Sequence, residues 1–289
     1  MSRADRLPVA RLLGGIPPTA LVLSGIVSVQ VGAAVAKQLF ATAGAIGIVT
    51  LRLLVAAIVL LAIWRPSPRV DRRTLSVVLT YGVVLAAMNL CFYSAIERIP
   101  LGAAVTIEFL GPLAVAVAGS RRWLDGLWVL LAGAGVVLLT RAEGGLVWTG
   151  VLFALAAGAL WAAYILVTAE LGSTTSDGRG LALAMAVGAV AALPFGVTSA
   201  GTELLDPVVL AAAIAVALMS SVLPYSLELE ALRRMPPRVF GILMSLEPAV
   251  AAVAGLVLLG EHLEPVQWLA VCCVVIASVG ATRSARPEA

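Results

Sequence analysis

Long apolar runs separated by short polar connections fill almost the whole chain. They fall near residues 17–39, 43–63, 75–96, 101–119, 123–140, 148–170, 180–200, 207–230, 238–259 and 265–282. A helix rises 1.5 Å per residue, so each run can cross about 30 Å of hydrocarbon. Barrel strands would alternate polar and apolar residues and would be about half as long. The pattern predicts an all-α polytopic membrane protein of ten transmembrane helices, with no soluble domain in any connection.

Basic residues test that count, because short cytoplasmic loops carry an excess of Lys and Arg. With the N-terminus inside, the inner side holds Arg3, Arg6, Arg11, Arg65, Arg69, Arg72, Arg73, Arg121, Arg122, Arg179, Arg233, Arg234, Arg238, Arg283 and Arg286. Arg98 and Arg141 alone fall outside, and Lys37 and Arg52 fall within spans, which accounts for all 19 basic residues. Both termini are therefore expected in the cytoplasm. The net charge of +3 reflects this bias and calls for no nucleic-acid partner. The apolar stretch after Arg11 lacks a small-residue cleavage site and is read as a retained helix, not a signal peptide.

Composition agrees: 61% hydrophobic residues, 12% charged and a mean hydropathy of +1.07 exceed what a soluble core of 289 residues could bury. Cys91, Cys272 and Cys273 lie in apolar runs and are read as small buried hydrophobes, with no disulfide framework or metal site expected.

The segment from Ala95 to Gly119 recurs at Ala231 to Gly255, at an offset of 136 residues. Ala95, Arg98, Pro100, Leu110, Pro112 and the run Ala116 to Gly119 all reappear, as Ala231, Arg234, Pro236, Leu246, Pro248 and Ala252 to Gly255. This pairs span 3 with span 8 and span 4 with span 9. It divides the chain into two five-helix repeats, residues 1–141 and 146–283. Repeats with an odd number of spans must be inverted, the signature of a transporter with its site between the halves.

An ionisable side chain near the bilayer centre costs about 2.5–3.5 kcal/mol on insertion scales, so each needs a partner, a wet cavity or a function. Arg52, Glu108 and Glu247 are expected near the midplane. Gln30 and Lys37, seven apart, share a face of span 1; Asn89 and Tyr93, four apart, share a face of span 3. Each pair is expected to line a cavity. Glu228 lies in the last turn of span 8, and Glu230 is expected to pair with Arg233 or Arg234. Two readings of the mixed charges stand open. Either Arg52 is a structural partner of Glu108 or Glu247, or the charges grip a zwitterion, cation to carboxylate and glutamate to ammonium. Pro112, Pro224 and Pro248 should each free a carbonyl one turn earlier, as a cation site or a hinge. Small-residue stripes at Ser24, Ser28, Gly32 and Ala36, and at Gly188, Ala192 and Gly196, suit close helix packing.

Several runs carry a resemblance: Ser28-Val29-Gln30 through Gly32, Ala36-Lys37, Leu39-Phe40 and Leu51-Arg52-Leu53; Glu108-Phe109-x-Gly111-Pro112-Leu113-Ala114-Val115-Ala116; Leu223-Pro224-Tyr225-Ser226-Leu227-Glu228; and Phe240-Gly241-x-Leu243-Met244-Ser245-x-Glu247-Pro248-Ala249. Over nearly its whole length the chain resembles the threonine and homoserine exporters of the EamA family, within the drug/metabolite transporter superfamily. The resemblance implies a ten-helix inverted repeat that exports small neutral amino acids by alternating access, driven by protons. Gln30, Lys37, Arg52, Glu108, Tyr225, Glu228 and Glu247 match the family pattern. Glu230 stands where an apolar residue is expected. On that reading Arg52 holds the substrate carboxylate, and Glu108 or Glu247 alternates between a proton and the substrate ammonium. The resemblance implies no cofactor. The alternative is a transporter of the same superfamily that exports another solute. A membrane enzyme or a non-transporting protein fits less well, since His262 is the sole histidine and Lys37 the sole lysine, which excludes a nucleotide-binding loop ending in Lys.

Overall fold

The computed structural model describes residues 15–66, 71–118, 123–141, 146–174 and 178–284. The helices are α1 (Pro18–Gln38), α2 (Phe40–Trp64), α3 (Arg72–Ile96), α4 (Leu101–Glu108), α5 (Leu110–Ala118), α6 (Trp123–Arg141), α7 (Trp148–Thr174), α8 (Arg179–Ala200), α9 (Pro207–Ala217), α10 (Leu223–Leu232), α11 (Pro237–Met244), α12 (Glu247–Leu259) and α13 (Pro265–Ser284). Helices α4 and α5 form one broken span, α11 and α12 another, and a π-helical turn, Leu218–Val222, joins α9 to α10. Among the described residues nine helical segments are long and apolar enough to cross a membrane, and the fifth span is a shorter apolar stretch, Gly126–Thr140. The ten expected helices are all present.

Both broken spans break at equivalent positions. Adding the repeat offset of 136 maps α4 onto α11 residue for residue, and it maps the junction residue Phe109 (φ −65°, ψ −11°) onto Ser245 (φ −61°, ψ −11°). Each broken span also starts at a proline in extended conformation, Pro100 or Pro236. The breaks follow from Pro112 and Pro248, which lack the N–H that a continuous helix would direct to Glu108 and Met244.

Packing obeys the same two-fold relation. Helix α3 lies on α7, and its counterpart α10 lies on α1; α2 packs on α8, α4 on α12 and α6 on α13. Every span thus has its main neighbours in the other half, so the two halves share one interior. Small residues allow this. A Cβ on Gly82 would stand 2.5 Å from the Ala184 carbonyl oxygen, and one on Gly188 2.9 Å from that of Gly82. Gly196 of the second small-residue stripe seats on Thr50, whose hydroxyl donates to the Ala192 carbonyl. In the first stripe Gly32 abuts Ser220 Oγ, and Ser28 donates to the Met219 carbonyl at 2.7 Å, although Ser24 is exposed. The outer surface carries apolar side chains such as Val83, Leu130, Val190 and Val257, as lipid contact requires.

Two local expectations change. Residues 40–42, expected between spans 1 and 2, are helical, and the direction change falls at Gly44, whose φ of 64° and ψ of 163° suit glycine. The cysteines are free, but Cys272 is exposed and Cys91 and Cys273 are only half-buried, so they contribute to surface packing more than to a core.

Candidate functional site

Mid-span polar side chains converge on one cavity of about 610 Å³, within the range of small-molecule sites. Gln30 of α1, Arg52 of α2, Asn89 of α3, Glu108 of α4, Tyr225 and Glu228 of α10 and Glu247 of α12 all line it. The cavity runs from mid-depth toward the ends of α5, α7, α10 and α13, reaching Ala116, Thr168, Leu232 and Thr282. Leu232 is exposed, so the cavity meets the surface at that end.

Arg52 is held by neutral partners. Its Nε donates to Ser221 Oγ at 3.3 Å, Nη1 to the Tyr93 hydroxyl at 3.2 Å and Nη2 to the Ser220 carbonyl at 3.0 Å. Pro224 explains the last contact, because it has no N–H to offer the carbonyl four residues back. A guanidinium has five N–H donors, so one on each Nη is left over, a fork that matches a carboxylate. Among the described residues no carboxylate comes within 4.0 Å of Arg52, nor any cation within 4.0 Å of Glu108, Glu228 or Glu247. The reading of Arg52 as a direct structural ion pair is therefore not realised.

Glu108 sits at the break of span 4, where its backbone carbonyl presses on Gly158 of α7; a Cβ there would lie 2.7 Å from that oxygen. Gly111 meets the Gly158 carbonyl from the other side. The carbonyl that Pro112 frees thus packs against a helix and is unavailable to a passing cation. Asn89 donates to the Leu85 carbonyl of its own helix at 2.8 Å. Gln30 is 2% exposed, and its Oε1 has no hydrogen-bond partner.

Two expected site residues lie elsewhere. Tyr93 is fully buried behind Arg52, with its ring 5.5 Å from the guanidinium carbon, and orients that side chain without lining the cavity. Lys37 is outside the cavity. Its Nζ donates to Glu261 Oε1 at 2.6 Å and to the Ile99 carbonyl at 3.0 Å, while Glu261 Oε2 accepts the Leu101 N–H at 2.7 Å. Gln38 adds a bond to the Leu258 carbonyl at 2.9 Å. This cluster ties α1, the start of α4 and the connection after α12 together at the end opposite the cavity mouth. Lys37 departs from Gln30's role because its long side chain reaches the helix end, where a carboxylate awaits it. Glu230 does pair with Arg234 and Arg233, at 3.2 and 3.7 Å.

Sequence reasoning missed Ser220, Ser221, Trp161 and Tyr164. The two serines were visible as a polar pair in an apolar run just before Pro224. Trp161 and Tyr164, three apart, share a face of α7; Trp161 meets Phe109 edge-to-face at 5.4 Å, at the span 4 break.

The EamA-like transporter family model matches twice, over residues 18–141 and 148–283. The chain belongs to the EamA-like transporter family. It is 42% identical over 275 residues to the threonine/homoserine exporter RhtA of Salmonella typhimurium, covering 94% of this chain and 93% of that protein. The Escherichia coli K12 protein of the same name matches with the same identity and coverage. The uncharacterized transporter YwfM of Bacillus subtilis is 24% identical over 75% of this chain and 77% of its own. A solved crystal structure superposes with a TM-score of 0.59 at 18% identity, covering 92% of this chain and 97% of that one, and so shares the fold. The chain is thus a multi-pass membrane protein of a transporter family, all-helical and built on a duplicated unit.

Proposed function

We propose that this chain is a secondary exporter of threonine, homoserine and similar small neutral amino acids. The observation that carries the reading is Arg52: a guanidinium fork with two spare donors, in one cavity with three carboxylates that have no cation within 4.0 Å among the described residues. A zwitterion fits that arrangement, its carboxylate on Arg52 and its ammonium on a glutamate. The 42% identity to RhtA proteins supports the same solute class.

Glu108 and Glu247 are the coupling residues in this proposal. Each lies at the break of its own span, and each is compensated in turn by one proton or by the substrate ammonium. With both termini in the cytoplasm, the cavity mouth at Leu232 and Thr282 faces inward, and the cluster of Lys37 and Glu261 seals the outer end. Export then requires that cluster to open while the mouth closes, as residues 1–141 and 146–283 move against each other about the fixed site. The chain acts as a carrier and performs no covalent chemistry.

The test is efflux of labelled threonine and homoserine from proteoliposomes, with and without an imposed proton gradient. The proposal expects gradient-stimulated efflux of both, with the stimulation lost in Glu108→Gln. Absence of efflux of either amino acid would move the substrate to another solute, and undiminished coupling in Glu108→Gln would remove that residue from the proton path.

A further inference from the structure

Most polar groups along the cavity already have a partner. Arg52 is held by Ser221, Tyr93 and Ser220, with its remaining fork free for a carboxylate. Asn89 is bonded within α3, and Ser278 is bonded to Ser245 at 2.7 Å. The three carboxylates answer to the ammonium. Among the described residues two buried oxygens have no partner, Ser220 Oγ and Gln30 Oε1. Both residues line the cavity, but Ser220 Oγ abuts Gly32, at the contact between α1 and the π turn. Gln30 is 2% exposed.

A buried amide oxygen without a donor is costly, and such a group in a binding cavity reports a missing ligand atom. We infer that the Gln30 carboxamide is the subsite for the side-chain hydroxyl of the substrate, and thus the residue that separates hydroxylated amino acids from their apolar isosteres. This rests on the proposed amino-acid export and adds the basis of its selectivity.

Chemistry and position both fit. A hydroxyl donates one hydrogen and accepts others, so it can give its hydrogen to Oε1 and receive one from Nε2. A methyl group in its place leaves the amide unsatisfied. Gln30 and Arg52 line the same cavity, so a small zwitterion whose carboxylate sits on the Arg52 fork is enclosed in the space that the Gln30 amide borders.

The experiment uses two isosteric pairs in proteoliposomes: threonine against valine, and homoserine against norvaline. One hydrogen bond of ordinary strength predicts roughly a ten-fold advantage in kcat/KM for the hydroxylated member of each pair. In Gln30→Leu that advantage falls to within about two-fold. Thermal unfolding in detergent accompanies the assay. Since Oε1 makes no bond among the described residues, Gln30→Leu should unfold no lower than the native chain, whereas loss of a structural contact would lower it. Should Gln30→Leu be poorly produced, Gln30→Met repeats the comparison. An unchanged preference in the variant overturns the assignment and leaves amino-acid export standing. A native protein that moves none of the four compounds overturns the export reading, and this inference with it.

Discussion

Lys37 Nζ and Glu261 Oε1 lie 2.6 Å apart, one at the end of α1 and the other just after α12, so this sheltered ion pair joins the two halves of the duplicated chain. Both side chains are largely sheltered, at 20% and 16% exposure. Because Glu261 also accepts the N–H that opens α4, its carboxylate fastens three segments at one point. The cavity is open at the opposite end. In the proposed export cycle the carrier changes sides by releasing that point.

Lys37→Met removes a charged hydrogen bond worth about 1.5–3 kcal/mol, so the closed outer end should lose population by roughly ten- to a hundred-fold. A thiol placed on the cavity wall by Val105→Cys, in a background without the three native cysteines, reports this. A membrane-impermeant reagent added on the Glu261 side should modify it at least ten times faster in the Lys37→Met protein. Equal rates would mean that the pair does not hold the gate.

Gly158 separates α7 from the break in span 4 by less than a side chain. Gly158→Ala pushes against the Glu108 carbonyl and should lower stability by about 1–3 kcal/mol, the usual cost of overpacking. A fall in unfolding temperature in detergent, together with weaker transport, is the expected outcome. An unchanged unfolding temperature would show that the helices part freely there.

Pro224→Ala restores an N–H that competes with Arg52 for the Ser220 carbonyl. The helix itself should gain, because proline is disfavoured in its interior by about 3 kcal/mol. The guanidinium loses an anchor, and KM for threonine should rise about three- to ten-fold while stability holds or improves. A stabilised protein with native KM would mean that the carbonyl contributes nothing to placing Arg52.

The spans and the repeat were legible in the sequence because lipid imposes them on every stretch of the chain. Apolar length set the helices, and the shared prolines at 112 and 248 marked breaks that the structure has at Phe109 and Ser245. Gln30, Arg52, Glu108, Glu228 and Glu247 stood out since each is costly in hydrocarbon without a reason. What the sequence hid depends on which element meets which. Lys37 and Glu261 are 224 residues apart, and nothing local announces their contact. Asn89 and Tyr93 share a helical face, yet only packing decides that Asn89 borders the cavity and Tyr93 stands behind Arg52. Gly44 sits among small residues that also suit a helix, so the turn there could not be told from the residues before it.

Threonine efflux from proteoliposomes tests through two variants whether Arg52 grips the substrate carboxylate. Arg52→Lys keeps the charge but loses the fork, and Arg52→Ala loses both. Loss of charge-assisted bonds of about 2 kcal/mol raises KM roughly thirty-fold, so Arg52→Lys should show at least that change and Arg52→Ala no measurable efflux, with folded protein present in both. Threonine efflux at the native rate and KM in folded Arg52→Ala protein would contradict the account.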